Sequence, residues 1–190
     1  MMRNIPRTIC CMLVALAGCA AQPQSQTAWG PTSWGETVNG LQVGIALEVA
    51  QAPPGQPQMA NGALQGIRVS LRNNGQVPLD VIDPRDLDGA QKNGEPVVMT
   101  LTSSGSPALP PGLLFRPTPA SVIELIPGQI ISTGLGLSLG RGQGGQPVQF
   151  SIKYQNSDEV VPVAGPAGAN PPPSAHVWTG EAVSGQVQVQ

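Results

Sequence analysis

Between Leu41 and Ala50 the chain alternates strictly: Leu41, Val43, Ile45, Leu47 and Val49 are apolar, with Gln42, Gly44, Ala46, Glu48 and Ala50 between them. A period of two places one set of side chains on one face of a strand, so the odd positions predict a row facing a core. The pattern returns at Ile67, Val69 and Leu71, interleaved with Arg68, Ser70 and Arg72, and again at Val77, Leu79 and Val81. The intervening Asn73-Asn74-Gly75-Gln76 predicts a hairpin, because Asn-Gly tolerates the positive φ that tight turns require. Further strands are expected over residues 97–102, 121–126, 130–139, 148–154 and 183–190. Nowhere does a 3.6-residue apolar period persist, so helix is predicted to be scarce. About seven to nine strands separated by turn signals predict an all-β fold, a single antiparallel β-sandwich over residues 36–190.

Three stretches carry no alternation. Residues 20–35, AAQPQSQTAWGPTSWG, are polar and broken by Pro and Gly, and read as a flexible tether with an r.m.s. span of about 20–24 Å. Trp29 and Trp34 within it either rest at a membrane interface, where indole is favoured, or cover an edge of the folded body, the plainer reading. Residues 164–175, AGPAGANPPPSA, and 140–145, GRGQGG, read as connections of low complexity. With 24 Gly and 21 Pro in 190 residues, the composition suits either low complexity or a turn-rich β protein, and the alternation selects the second for most of the length.

The first residues have a different character. Arg3 and Arg7 flank a polar start, and Ile9 to Ala17 is an unbroken run of small or apolar residues, which together form the n-region and h-region of an export signal. As a helix this run spans about 14 Å, under half of a ~30 Å hydrocarbon layer, too short for a stable transmembrane segment. The sequence that follows, Leu16-Ala17-Gly18-Cys19, resembles the lipobox of bacterial lipoproteins. The resemblance implies that Cys19 takes a diacylglyceryl group and becomes the mature N-terminus after residues 1–18 are removed, with 19–35 as lipidated start and tether. By the sorting tendency of that family, Ala20 after the cysteine favours the outer membrane where the cell has one. Cleavage after Ala21, giving a soluble secreted product, is the alternative.

Removal of the signal takes Cys10 and Cys11 with it, and lipid consumes Cys19, so the mature chain keeps no thiol for a disulfide, a zinc site or nucleophilic catalysis. It also leaves seven basic against eleven acidic residues, a formal charge of −4. No basic run remains and aromatics are few, which argues against nucleic-acid binding. In their pattern, IRVSLRNNGQVPLDV and VIELIPGQIISTGL resemble the strand-turn-strand segments of immunoglobulin-like accessory domains in bacterial exported proteins. That likeness implies an immunoglobulin-like sandwich and no particular activity.

Two constellations invite a chemical reading. Gly136-Leu137-Ser138-Leu139-Gly140 satisfies G-x-S-x-G, and Asp158 and His176 follow in the order of a hydrolase triad. The mechanism needs the serine on a sharp strand-to-helix turn, whereas Arg141 to Pro147 cannot begin a helix and Leu135, Leu137 and Leu139 make Ser138 an outward strand residue. His176 is the only histidine and reads as a surface residue. Gly140, Gly142 and Gly145 match G-x-G-x-x-G without the βαβ unit that gives it meaning. The second constellation is acidic: Asp86, Asp88, Gly89 and Glu95 fall on positions three, five, six and twelve of a calcium loop, but position one is Pro84, which offers no side-chain oxygen. A non-helical calcium site of Asp83, Asp86, Asp88 and Glu95 is one reading of this segment; a solvated turn is the other. The expectation is therefore a non-enzymatic, lipid-anchored envelope protein without cofactor or resident metal. Its expected partners are the membrane and an unidentified envelope protein, and a calcium-assisted ligand-binding or adhesion domain is the alternative.

Overall fold

A chain that alternates with period two closes its apolar faces by stacking one sheet on another. The computed structural model of the protein does this; it describes residues 27–50, 66–89, 94–104, 111–135, 147–166, 169 and 173–189. In chain order the strands are β1 (Thr27–Trp29), β2 (Ser33–Val38), β3 (Leu41–Ala50), β4 (Gly66–Asn73), β5 (Leu79–Ile82), β6 (Val97–Ser104) and β7 (Gly112–Phe115). They continue as β8 (Val122–Leu125), β9 (Ile130–Leu135), β10 (Val148–Asn156), β11 (Val160–Pro162), β12 (Ser174–His176), β13 (Gly180–Val183) and β14 (Val187–Val189).

In the first sheet, β1 and β2 lie end to end along one side of β3, and β4 and β9 follow on the other. In the second sheet, β13 and β14 lie end to end along β10, with β6 and then β7 beyond. Every ladder is antiparallel, and the two sheets share one core. Leu41, Val43 and Ile45 of β3, Ile67, Val69 and Leu71 of β4, and Phe150, Ile152 and Tyr154 of β10 are all essentially solvent-free. Each such side chain contributes about 1.5–3 kcal/mol of burial. The Tyr154 hydroxyl donates to the Ile82 carbonyl oxygen at 2.9 Å, and burial pushes its pKa far above the usual phenol value.

Two of the ladders run past the stacked sheets. The β10–β13 register continues unbroken into β11–β12, from Asn156↔Gly180 to Val160↔His176. Likewise the chains of β4 and β9 pass into β5 and β8, which pair with each other. The two extensions meet through Ala120↔Val163, the Trp178 N–H donating to the Asp80 oxygen at 2.7 Å, and a small cluster of Ala120, Val161 and Val177.

The hairpin expected at Asn73–Gln76 does not form. Asn73 is fully buried; its Nδ2 donates to the Val77 and Leu125 oxygens, both at 2.7 Å, and its Oδ1 accepts from the Gly75 N–H at 2.9 Å. This side chain holds an irregularity inside one long ladder, so β4 and β5 both pair with the β8–β9 segment instead of with each other. The Asn-Gly turn that does make a tight hairpin is Asn39-Gly40, with φ of 48° and 83°, between β2 and β3.

Residues 27–35, expected as tether, lie within the folded body, because β1 and β2 belong to the first sheet. Fourteen strand segments stand among the described residues, more than the alternation suggests, because edge strands split and short ribbons are added. The strand expected over 183–190 is broken at Ser184, whose Oγ accepts from the Ile152 N–H at 2.9 Å and whose own N–H donates to the Ile152 oxygen at 2.8 Å. Residues 136–139 of the strand expected over 130–139 lie outside the described residues.

Candidate functional site

The even positions of β3 explain the most distinctive surface. Gln42, Gly44, Ala46 and Glu48 face away from the core and align with Arg72, Ser70, Arg68 and Gly66 of β4, and beyond them with Ile130, Ser132 and Gly134 of β9. Gly44 leaves a trough: a Cβ there would stand 2.6 Å from Thr32 Cγ2 and 2.7 Å from Trp34 Cε3. The Trp34 indole occupies that space and carries the Arg72 guanidinium above it, 4.5 Å from the ring centroid. Trp29 carries Arg68 in the same way at 5.0 Å.

Hydrogen bonds orient both cations. Arg72 Nε and Nη2 donate to Gln42 Oε1, the former at 3.0 Å, and Arg68 Nη2 donates to Thr32 Oγ1 at 3.4 Å, while Arg68 Nε has no partner among the described residues. Between them the Ser70 and Ser132 hydroxyls bond to each other at 2.7 Å. The result is a flat, half-exposed face of two indoles and two guanidiniums, bordered by Ile130, which is 49% exposed. Guanidinium donors held on aromatic rings suit the binding of phosphate or carboxylate groups beside apolar matter.

Neither tryptophan dangles in a tether. Both are half-buried parts of the first sheet's outer layer, in line with the edge-covering reading. Sequence reasoning saw the tryptophans and the arginines separately; the Gly44 between alternating bulky residues was the available sign that something large lies across β3.

The acidic segment has a structural task. Asp83 caps the 3-10 turn Pro84–Asp86, accepting from the Arg85 N–H at 2.9 Å, and its carboxylate pairs with the Arg85 side chain. That bonding holds the Asp83 carboxyl below the ordinary carboxylate range, against the opposing effect of burial. Pro84 is buried, Leu87 packs on the core, and Asp88 bridges Phe115 of β7 while the 3-10 turn lies beside β9. The segment thus straps the side of the sandwich where both sheets end. Asp83, Asp86, Asp88 and Glu95 are not gathered, and no group of three metal-ligating side chains occurs among the described residues. Asp83 is engaged in capping and with Arg85.

Asp158 pairs with Arg116 at 2.9 Å, and His176 Nδ1 lies 3.7 Å from Glu159 on the exposed ribbon β11–β12. Ser138, the glycines at 136, 140, 142 and 145, and Cys19 lie outside the described residues. No protein family, curated protein or solved structure matches the chain. No helix among the described residues is long and apolar enough to cross a membrane.

Proposed function

We propose that the chain is a lipid-anchored lipoprotein of the cell envelope, exported through residues 1–18, fixed to a membrane through Cys19 and non-enzymatic. Its sandwich, immunoglobulin-like in the loose pattern of its sequence, acts as a structural or protein-interaction module. Ala20 directs it to the outer membrane where one exists.

The observation that carries this reading is a spacing. The lipobox cysteine stands eight residues before Thr27, where the first strand joins the sheet. Such a junction leaves room for a short spacer and for little else, as an acylated anchor with a folded body requires. Two or three acyl chains make the attachment stable, since each buried methylene contributes about 0.8 kcal/mol. Two of the acidic side chains hold the fold: Asp83 caps a turn and Asp158 neutralises a buried arginine.

Mass spectrometry of the chain purified from membranes tests the proposal. The expected product begins at a diacylglyceryl-modified Cys19, and Cys19→Ser releases the chain from the membrane fraction. An unmodified product beginning at Gln22 overturns it.

A further inference from the structure

We infer that the tryptophan–arginine face of the first sheet is the side this domain turns toward the membrane, its guanidiniums meeting the phosphates of the lipid headgroups. The inference rests on the anchoring proposed above and specifies the surface that the anchored body presents.

Three observations carry it. Seven residues lie between Cys19 and Thr27, eight steps of the chain, so the anchor keeps β1 within about 26–29 Å of its lipid even at full extension. The strand held closest is the one that bears Trp29, whose indole lies under Arg68 on the first sheet's outer face.

The two outer faces of the sandwich also differ in kind. The first presents Trp29, Trp34, Arg68, Arg72 and the half-exposed Ile130, with Glu48 as the acidic residue of its rows. The second presents Thr100, Thr102, Ser151 and Lys153 with the partly exposed Leu113 and Val183 beside them; its rows hold neither an indole nor a guanidinium among the described residues, and its lysine is already paired with Glu181 at 3.3 Å. Indole and guanidinium favour the headgroup layer, where an amphipathic ring and a charged fork find apolar and phosphate partners together.

Finally, the Nε–H of Arg68 has no acceptor among the described residues. A phosphate oxygen supplies one after a small side-chain movement. The third tryptophan, Trp178, is buried and takes no part.

A tethered body sits at a high effective concentration over its own membrane, so weak contacts are enough to set its orientation. The test places one thiol on each outer face of the full lipidated chain, which has no other free cysteine once Cys19 is acylated. Gly134→Cys lies on the first face, where a Cβ meets nothing within 4 Å, and Thr102→Cys lies exposed on the second. Each variant carries an environment-sensitive fluorophore and is reconstituted into vesicles of phosphatidylethanolamine and phosphatidylglycerol.

Flotation with the vesicles reports the anchor; quenching by brominated lipid reports the face. The expected result is that both variants float and the label at residue 134 is quenched at least threefold more strongly than the label at 102. Combining Gly134→Cys with Arg68→Gln and Arg72→Gln should bring the ratio near one. Equal quenching in the unaltered face, or stronger quenching at 102, overturns the inference while leaving the anchor standing. Failure to float overturns the anchor and this inference with it.

Discussion

Asn73 offers the sharpest test of how the sandwich is assembled. Asn73→Ala removes three hydrogen bonds, to the Val77 oxygen, the Leu125 oxygen and the Gly75 N–H. Two of those groups are partly exposed and recover water, so each loss is about 0.5–1.5 kcal/mol. The bond to the Leu125 oxygen is buried, and an unsatisfied buried acceptor costs about 1–3 kcal/mol. The sum is about 2–6 kcal/mol, which for a body of this size lowers the melting temperature by about 4–24 °C. Asn73→Asp is the sharper variant: at neutral pH its carboxylate donates nothing and faces two carbonyl oxygens, so it should be less stable than Asn73→Ala. Burial beside those oxygens raises the folded-state pKa of that carboxyl above its unfolded value of about 3.9, so as pH falls toward that value the carboxyl protonates and regains one donor, and Asp should gain on Ala. Thermal unfolding followed by circular dichroism, with urea titrations at pH 7 and pH 3.5, measures both. A drop under about 2 °C for Ala, or an Asp variant as stable as the parent at pH 7, would refute the role assigned to this side chain.

Gly44→Ala drives a methyl group into Thr32 and Trp34; a loss of about 1–3 kcal/mol is expected, with altered tryptophan emission, and unchanged emission contradicts the packing described. Asp83 has a lowered pKa when folded, so the stability it contributes is present above its unfolded value of about 3.9 and is lost as pH falls through the lower folded value. Asp83→Asn should therefore flatten the acid limb of the urea midpoint against pH, and parallel curves would count against the pairing with Arg85. The Arg116 side chain is 9% exposed, with Nε and Nη1 unpartnered, whereas that of Asp158 is 46% exposed. Asp158→Ala, which strands the guanidinium, should cost about 1–3 kcal/mol, while Arg116→Met should be neutral or stabilising; a loss above about 2 kcal/mol in Arg116→Met defeats that reasoning.

The acidic segment shows why residue types mislead about chemistry. Asp83, Asp86, Asp88 and Glu95 cluster in sequence, yet the backbone runs extended on either side of one 3-10 turn and carries Asp88 to a bridge with Phe115. Asp83 is turned to the Arg85 side chain while Asp88 is held in the bridge to Phe115, so closeness in sequence does not gather these carboxylates into one group. The face proposed for the membrane is the reverse case: Trp29, Trp34, Arg68 and Arg72 are scattered in sequence and meet because β1, β2, β3 and β4 are neighbours. Short strands such as β7, β11 and β12 were invisible to periodicity, since three or four residues hold too few repeats to count.

The sequence alone determined the strand character of this protein and the inward face of its main strands, because a period of two is a local property of each segment and needs no partner to be read. It did not determine which strands pair. Both Asn39-Gly40 and Asn74-Gly75 carry the same turn signal, and only the first makes a hairpin. The choice belongs to the buried Asn73 side chain, which binds carbonyls at Val77 and Leu125. Only the closed structure decided it, because a polar group removed from water takes whichever partners the packed fold brings within reach.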